Sequence, residues 1–350
     1  MPDITKVSTP SSGAISFADL NTALRNTAGT EVSLGDGDVK SLLGISSGSV
    51  DMNSAHGAFL PYGRKVYSTS NGDNSDGPYT FANCDFGTDT DDRIILCVVT
   101  YYTLYGNSDY LGRYSLDTIA SATIGGVSAT CAGRMDGYTV SSSSGHRQQM
   151  CVFYARPTGT SGSVVYSVNN AGWGSYRAGY ARTLTIYALY GLSTANPIEY
   201  STHTQKTDNT AGTYNLQITL SPHNIDNQKD KLLLLLTGRN YIDGTTPSNN
   251  YFYINSSTKT SDWQEPSTLS SEGQGALGYL TNDVPTTSTF TANSVTTDDQ
   301  GSSSDIETTC FIGIILAKNP SSTQTVSFAP SASYSAPPPP PPPPPGSDGP

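Results

Sequence analysis

Charged residues are scarce in this chain, and basic residues are scarcer than acidic ones. Only 13% of its 350 residues are Asp, Glu, Lys or Arg, roughly half the share found in an average soluble protein. Lys and Arg together number 18 against 29 Asp and Glu, which gives a formal net charge of −11. A surface that binds a phosphate backbone needs clustered Lys and Arg. We therefore expect no nucleic-acid partner.

Long apolar runs are also lacking. Runs such as Leu232–Leu236 are far shorter than the roughly 20 apolar residues that a membrane-spanning helix requires. The first residues, Met1-Pro2-Asp3, do not resemble the basic start of a signal peptide. The sequence therefore predicts a chain with no membrane insertion and no Sec-type export.

Residues typical of catalytic or metal sites are few and scattered. The chain has four histidines, and neither a His-Glu-x-x-His nor a Cys-x-x-Cys spacing occurs, so a zinc site has little support. A calcium site is the one alternative, since clustered carboxylates suit that ion; its ligands would be Asp85, Asp89, Asp91 and Asp92. These carboxylates lack the spacing of an EF-hand, and we expect them to be solvated loop charges. We predict no catalytic residue, no metal and no cofactor.

The five cysteines are an odd number, and three of them lie in apolar, strand-like segments: Cys97, Cys151 and Cys310. A thiol in such a segment behaves as a small hydrophobic group. We expect buried thiols, as suits synthesis in a reducing cytosol, although one disulfide pair stays open at this stage.

Short apolar segments separated by Gly-, Asn- and Pro-containing turns fill the chain from Tyr62 onward. Arg182–Tyr190 alternates between two faces, as a half-buried strand does. The segments Arg93–Val99 and Lys231–Leu236 are instead continuously apolar after their first residue, which is typical of strands covered on both faces. The pattern predicts an all-β protein of tandem antiparallel β-sandwiches, jelly-roll-like, with a helical N-terminal module and a polyproline II C-terminal tail.

Two pairs of segments indicate an internal repeat: Arg93–Tyr102 resembles Lys231–Asn240, and Arg182–Gly191 resembles Cys310–Asn319. We therefore predict four regions. These are an N-terminal module over residues 1–60, a first sandwich over 61–192, a second sandwich over 193–330 and a proline-rich tail over 331–350.

The N-terminal module is predicted to contain two short helices. Ser16 and Asp19 form a capping-box pattern before the first helix, and Asp36 is the predicted N-cap of the second. Their apolar positions are Phe17, Leu20, Leu24, Val39, Leu42 and Leu43. A segment of this size buries little core by itself, so we expect it to anchor the chain to a neighbour in an assembly. The alternative is an arm packed on its own chain.

Nine consecutive prolines, Pro337–Pro345, exclude helix and sheet from the tail. They predict a polyproline II rod of about 28 Å. Such a rod either lies in an aromatic groove of a partner subunit or is a stiff solvated terminus.

Aromatic residues in Gly-rich segments are the candidate contact residues. The chain has 22 tyrosines and two tryptophans, and flat rings with a polar group suit a sugar face or a protein interface. The candidates for subunit or glycan contact are Trp173, Tyr176, Tyr180 and Trp263. The alternative is that these rings fold back over the edge of a sandwich.

Two stretches of the sequence resemble structural proteins of tailed bacteriophages, notably marine cyanophages. The first covers about residues 11–57 and includes Gly13–Leu24 and Asp38–Gly44. The second consists of five blocks in order: Phe86-Gly-Thr, Asp92–Leu96, Ala122–Thr130, Val152–Thr160 and Leu184–Gly191. The resemblance is looser after Ser193 and does not include the proline tail.

This resemblance implies a virion component, such as a tail fibre, an appendage or a head decoration, that is assembled in the host cytoplasm. It carries over no catalytic residues. Its expected partners are further copies of the chain and other virion proteins. The alternative is an adhesin of the same architecture that binds cell-surface polysaccharide through its aromatic loops, and a polysaccharide-degrading enzyme is a more remote third possibility.

Overall fold

A computed structural model describes most of the strand-forming sequence. The described residues are 6, 8–12, 15–24, 32, 37–43, 58–71, 78–105, 119–140, 145–168, 178–208, 213–222, 230–241, 248–260, 263–266, 273–297, 307–318, 320 and 323–328. The tail predicted over residues 331–350 lies outside them.

Two short helices precede the first strand, α1 over Phe17–Ala23 and α2 over Gly37–Leu43. Ser16 caps α1, because its hydroxyl accepts a hydrogen bond from the backbone N–H of Asp19 while its own backbone N–H donates to the Asp19 carboxylate. Hydrogen bonds from the Ser16 side chain and backbone hold the pKa of Asp19 below its usual range. The helices share a small core made of Leu20, Ala23, Leu24, Val39, Leu42 and Leu60.

The first half of the chain forms nine antiparallel strands in two sheets. Their bounds are β1 Tyr62–Asn71, β2 Tyr79–Asp85, β3 Ile94–Tyr105, β4 Ile119–Ile124, β5 Val127–Ser128, β6 Thr130–Val140, β7 Gly145–Ala155, β8 Ser161–Val168 and β9 Ala178–Tyr190. The first large sheet has the order β1-β9-β3-β7-β6, and the first small sheet has the order β2-β8-β4-β5.

The second half also forms nine antiparallel strands. Their bounds are β10 Ile198–Asp208, β11 Thr213–Leu220, β12 Lys231–Tyr241, β13 Ser248–Ile254, β14 Ser257–Thr260, β15 Trp263–Pro266, β16 Gly273–Thr281, β17 Phe290–Thr297 and β18 Glu307–Ala317. The second large sheet is ordered β10-β18-β12-β16-β15, and the second small sheet β11-β17-β13-β14.

The two halves have one topology, since adding nine to each strand number of the first half gives the order of the second. In each half the first strand pairs with the last and the second with the last but one, which is the wrapped order of a jelly roll. The segments that indicated a repeat lie on matching strands, β3 with β12 and β9 with β18. The chain is thus an all-β protein of two like sandwiches.

The two large sheets pack against each other, so the four described sheets form four layers with three cores between them. The first sandwich core lies between the sheets of the first half, and the second sandwich core between those of the second half. A central core joins side chains of both large sheets, among them Leu96, Val152, Leu234 and Ile314. Gly133 of β6 allows this close approach, because a Cβ there would lie 3.1 Å from Ile314 Cδ1.

Burial on both faces explains the continuous apolar segments. In β3, Ile94, Leu96 and Val98 lie in the central core, whereas Ile95, Cys97 and Val99 lie in the first sandwich core. In β12 the even-numbered leucines of Leu232–Leu236 lie in the central core and the odd-numbered ones in the second sandwich core. The prediction that these strands are covered on both faces is confirmed.

The two-residue turn Gly125-Gly126 joins β4 to β5, where Ile124 pairs with Val127. Both glycines have positive φ, 57° and 80°, as a tight two-residue hairpin turn requires.

All five cysteines are buried thiols, as predicted. Cys84, Cys97, Cys131 and Cys151 lie in the first sandwich core, and Cys310 lies in the central core. Burial raises the pKa of the Cys97 thiol well above its usual value. A thiol in this state is a poor nucleophile, so these residues serve packing.

The segment after β18 returns across both sandwiches. The backbone N–H of Gln324 donates to the carbonyl of Ile198, and the Gln324 side chain accepts from the backbone N–H of Ser201, both on β10. Four residues later, Phe328 packs against Phe153 of the first sandwich, with ring centroids 6.2 Å apart. The segment therefore connects the outer edge of the second large sheet to the first sandwich.

No helix among the described residues is long and apolar enough to cross a membrane.

The central core makes a testable prediction about cooperativity. Leu234→Ala removes a fully buried side chain from the central core and should lower the free energy of unfolding by about 2–5 kcal/mol. Because that core belongs to both large sheets, hydrogen exchange should accelerate in β3 as well as in β12.

Leu233→Ala is the matched control, since Leu233 is equally buried but lies in the second sandwich core. Its effect on exchange should be concentrated in the second half of the chain. Faster exchange confined to the second half in both variants would contradict a shared core.

Candidate functional site

Charged and aromatic groups of the described residues cluster where the two sandwiches join. We call this cluster the junction. It includes the connection from β2 to β3, the connection from β7 to β8, the ends of β9 and β18, and the segment around Phe59. The aspartates of the β2–β3 connection were considered as calcium ligands, and no other residue named below for the junction was assigned a role at a ligand site from sequence.

Arg93 is the main hydrogen-bond donor of the junction. It immediately precedes β3, and its side chain is 1% exposed. The guanidinium donates to the carbonyls of Phe86 and Gly87 at 3.4 and 3.3 Å, and to those of Pro157 and Gly159 at 2.6 and 2.7 Å. It also lies 3.0 Å from the Asp89 carboxylate. One buried cation thus binds the β2–β3 connection to the β7–β8 connection.

Three of the four carboxylates considered for a calcium site accept hydrogen bonds from the main chain. Asp85 accepts from the backbone N–H of Gly87 at 2.7 Å, Asp89 from that of Gly159 at 2.6 Å, and Asp92 from that of Gly191 at 2.9 Å. The Asp91 carbonyl accepts from Arg156. These aspartates fix the geometry of turns. Asp89 bonds to the connection between β7 and β8, whereas Asp92 bonds to the residue that follows β9.

Lys318 joins the N-terminal module to the second sandwich. It follows β18, and its ammonium donates to the carbonyls of Leu42 at 3.1 Å and Phe59 at 3.2 Å. Burial lowers the pKa of Lys318, while Asp230 and Asp92 act in the opposite direction. The module therefore packs on its own chain, which is the second of the two arrangements expected from sequence.

Three aromatic rings extend this contact to the first sandwich. Phe59 meets Tyr62 edge to face at 5.7 Å between ring centroids, and Tyr62 stacks on Tyr190 at 4.7 Å. The Tyr190 hydroxyl donates to the carbonyl of Thr88. Burial raises the pKa of Tyr62 to about 12, and Asp92 adds to the effect.

A second buried cation occupies the matching place in the other half. Lys231 begins β12 as Arg93 precedes β3, and its ammonium lies 2.7 Å from Glu199, with the two side chains 1% and 0% exposed. Paired burial of this kind avoids the high cost of an isolated buried charge. Each jelly roll therefore places a neutralised cation at the start of its central apolar strand.

Sequence reasoning missed both cations, although a signal was present. A charged residue directly before a strand that is apolar on both faces must itself be buried or nearly so, and a buried charge needs a partner. Arg93 and Lys231 hold that position in the two predicted repeats. Their partners are separated from them by 4 and 32 residues, and the more distant one has no sequence signal.

The predicted anchor residues lie mostly inside the chain. Leu20, Leu24 and Leu42 are buried in the helical core, and Leu43 packs partly buried against it. Phe17 is the first residue of α1. Pro337 and Pro345 lie outside the described residues. A partner that contacts this module meets its outer surface rather than its leucines.

The predicted contact aromatics are spread over both halves. Tyr180 lies in β9 of the first large sheet, and Trp263 begins β15 of the second, opposite Gly278. Trp173 and Tyr176 lie outside the described residues. The structure therefore does not bring Trp263 and Tyr180 onto one strand or one sheet.

Comparison with known proteins gives only remote likenesses. No protein-family model matches the chain, and no curated protein sequence matches it. Among solved structures, the mavirus major capsid protein is similar over 72% of this chain and 86% of its own, at 8% identity and a TM-score of 0.20.

The N-terminal domain of a Streptococcus gordonii adhesin is similar over 72% of this chain and 58% of its own, at 8% identity and a TM-score of 0.16. These TM-scores are too low for either likeness to indicate a shared function.

The junction predicts unequal roles for two arginines. Arg93→Met would leave four carbonyls and the Asp89 carboxylate without their buried donor, and should lower the free energy of unfolding by about 3–5 kcal/mol. Arg156→Met is the control, because Arg156 is exposed and exposed positions usually change stability by only about 0.5 kcal/mol. Urea unfolding of both variants checks this, and equal losses would contradict the role given to Arg93.

The raised pKa of Tyr62 predicts loss of stability in alkali. The folded chain holds this proton to about pH 12, whereas an unfolded tyrosine loses it near 10.0. The stabilising contribution is therefore complete below pH 10 and disappears as the pH rises toward 12. Between pH 8 and pH 11, the free energy of unfolding should therefore fall less for Tyr62→Phe than for the native chain.

Tyr253→Phe, on β13 away from the junction, is the control for this measurement by urea unfolding. A pH dependence of Tyr62→Phe identical to that of the native chain would contradict the assignment.

Proposed function

We propose that this protein is a non-enzymatic structural component of a virus particle. In this role it associates with copies of itself and with other virion proteins to form a fibre, an appendage or a capsid decoration. The observation that carries the proposal is that the buried cations bind groups of the chain itself. The buried or half-buried cations Arg93, Lys231 and Lys318 hold backbone carbonyls or a single carboxylate, so they fasten segments of the chain together.

This use of charge suits a mechanical role. The junction fixes the two sandwiches and the helical module to one another, and the central core removes the hinge that two separate domains have. A rigid block with a polar, weakly charged surface fits a repeated building unit. The sequence resemblance to tailed-phage structural proteins supports the same role.

Within this proposal, the burial of the module's leucines narrows the surfaces that can face the particle. Leu20, Leu24 and Leu42 are occupied by the internal core of the module. Contacts with other virion proteins are therefore made by the outer surface of the helical module, by the tail, or by the sandwich edges.

An adhesin that binds cell-surface polysaccharide is the second candidate. One observation favours it: the register places Tyr102 of β3 opposite Ala181 of β9 and Thr103 opposite Gly179, so that Tyr180 lies between the two pairs. Tyr102 and Tyr180, which are 78 residues apart in sequence, thus lie on neighbouring strands at one end of the first large sheet. Aromatic rings suit the flat face of a sugar.

Immunogold electron microscopy of particles from the source tests both candidates, with antibody raised against residues 61–330. We expect gold on the particles at regular positions, and pre-immune serum is the control. Label on capsids indicates a decoration, whereas label on fibres or tail tips favours the adhesin. Particles that carry no label, although the antibody detects the chain in lysates, would contradict the virion role.

A further inference from the structure

The two small and two large sheets have eight edge strands in the part of the chain that the structure describes: β1, β6, β2, β5, β10, β15, β11 and β14. An edge strand presents backbone N–H and C=O groups that can pair with another chain. Proteins protect such edges by short length, charge, proline, a bulge or a covering segment. We therefore compared the edges one by one.

Seven edges carry at least one of these protections. β5, β14 and β15 have only two or four residues, and β15 ends in Pro266. β1, β2, β6 and β10 each have a register shift that marks a bulge or irregularity. In addition, Gln324 bonds to the edge strand β10, and Arg134 of β6 donates to the carbonyl of Phe328.

β11 is the exception. Its eight residues, Thr213–Leu220, include no charged residue and no proline. They pair with β17 in unbroken register from Thr213 to Leu220, so no bulge twists the strand away. β10 precedes β11 along the chain and packs close to it, but it belongs to the other sheet, and no ladder between the two strands occupies the backbone groups of the β11 edge.

The matching strand of the first sandwich shows that the protection is not a requirement of the fold. β2 occupies in the first small sheet the place that β11 has in the second. It is interrupted between Phe81 and Cys84, with Asn83 at a positive φ of 56°, and it ends in Asp85. One topology thus has a protected edge in one half and an unprotected edge in the other.

Electrostatics favours approach at this edge. The chain has a formal net charge of −11, so two copies repel each other over most of their surfaces. β11, β17 and β13 together contain no charged residue, and the outward side chains of β11 are Asn215, Gln217 and Thr219. These three uncharged strands, which include the β11 edge, therefore form a region where two acidic copies meet with little repulsion; the one charge of the sheet, Lys259, lies on β14 at its opposite edge.

From these observations we infer that β11 pairs with β11 of a second copy of this chain. The two strands run antiparallel about a twofold axis, and the two second small sheets become one continuous sheet of eight strands. The inference deepens the proposed function, on which it rests, by naming the surface through which the copies associate.

Analytical ultracentrifugation of the full chain over a range of concentrations tests this contact. The native chain should form dimers with increasing concentration. Gln217→Lys places like charges at the middle of the paired edges and should weaken dimerisation at least tenfold. Because the Gln217 side chain is exposed, the melting temperature should not change at concentrations where the native chain is monomeric, since dimerisation itself adds stability.

Thr80→Lys is the matched control, since Thr80 is an exposed residue of β2, and it should dimerise like the native chain. Gln217→Glu should also stay monomeric alone, but a mixture of Gln217→Lys and Gln217→Glu should restore dimers because the opposed charges then attract. Misfolded variants do not show such rescue.

Three results would overturn the inference: a native chain that is monomeric at every concentration, a Gln217→Lys variant that dimerises like the native chain, or variants that fail to restore dimers when mixed. The assay contains no particles, so its outcome is separate from that of the immunogold experiment. A chain absent from particles would end the virion proposal and leave the β11 contact measurable.

Discussion

The burial of both large sheets on both faces is the constraint on which the rest of this structure depends. An isolated sandwich needs apolar side chains on only one face of each sheet, with polar ones outside. Here the central core requires apolar side chains on the outer faces of two sheets as well. That requirement accounts for the continuous segments in β3 and β12, and for the burial of Thr183 and Thr185 on β9. The two sandwiches consequently share a core and pack as a single unit.

An apolar strand of this kind creates a problem at its first residue. The chain must pass from the polar surface into a layer with no water, and Arg93 and Lys231 lie at that point in the two halves. The halves solve the problem differently. Arg93 uses four carbonyls of nearby connections, whereas Lys231 uses Glu199 at the start of β10. The first solution fixes loops, and the second fixes one strand against another.

The fold class and the full burial of β3 and β12 were predictable from sequence, because they depend on patterns within single segments. Continuity in Arg93–Val99 indicates that both faces of a strand are covered. The same holds for the Ser16 cap and the Gly125-Gly126 turn, whose partners are at most five residues away. Local physics determines such features. Alternation in Arg182–Tyr190 indicated a half-buried strand, and that prediction is wrong, since Thr183 and Thr185 of β9 are buried in the polar half of the pattern.

The candidate site was not predictable in the same way. Lys318 reaches the carbonyls of Leu42 and Phe59, 276 and 259 residues away, and backbone acceptors have no signature in a sequence. The anchor role assigned to Leu20, Leu24 and Leu42 assumed that a small module buries little of its own surface. The structure instead gives these side chains a core with Val39 and Leu60. Whether a short helix faces its own chain or a partner is decided by contacts between distant segments.

The geometry of a single unprotected edge also limits what it can build. Pairing of β11 with its own copy is isologous, because each strand offers the same surface to the other, and a contact of this type closes at two subunits. A fibre or a shell needs at least one more contact, of a different type, to continue beyond the dimer. The other described edges are bulged, short or covered, so sheet extension does not supply it. The second contact must therefore be of another kind, made by side chains or by the proline-rich tail, and the outer surface of the helical module is one candidate for it among the described residues.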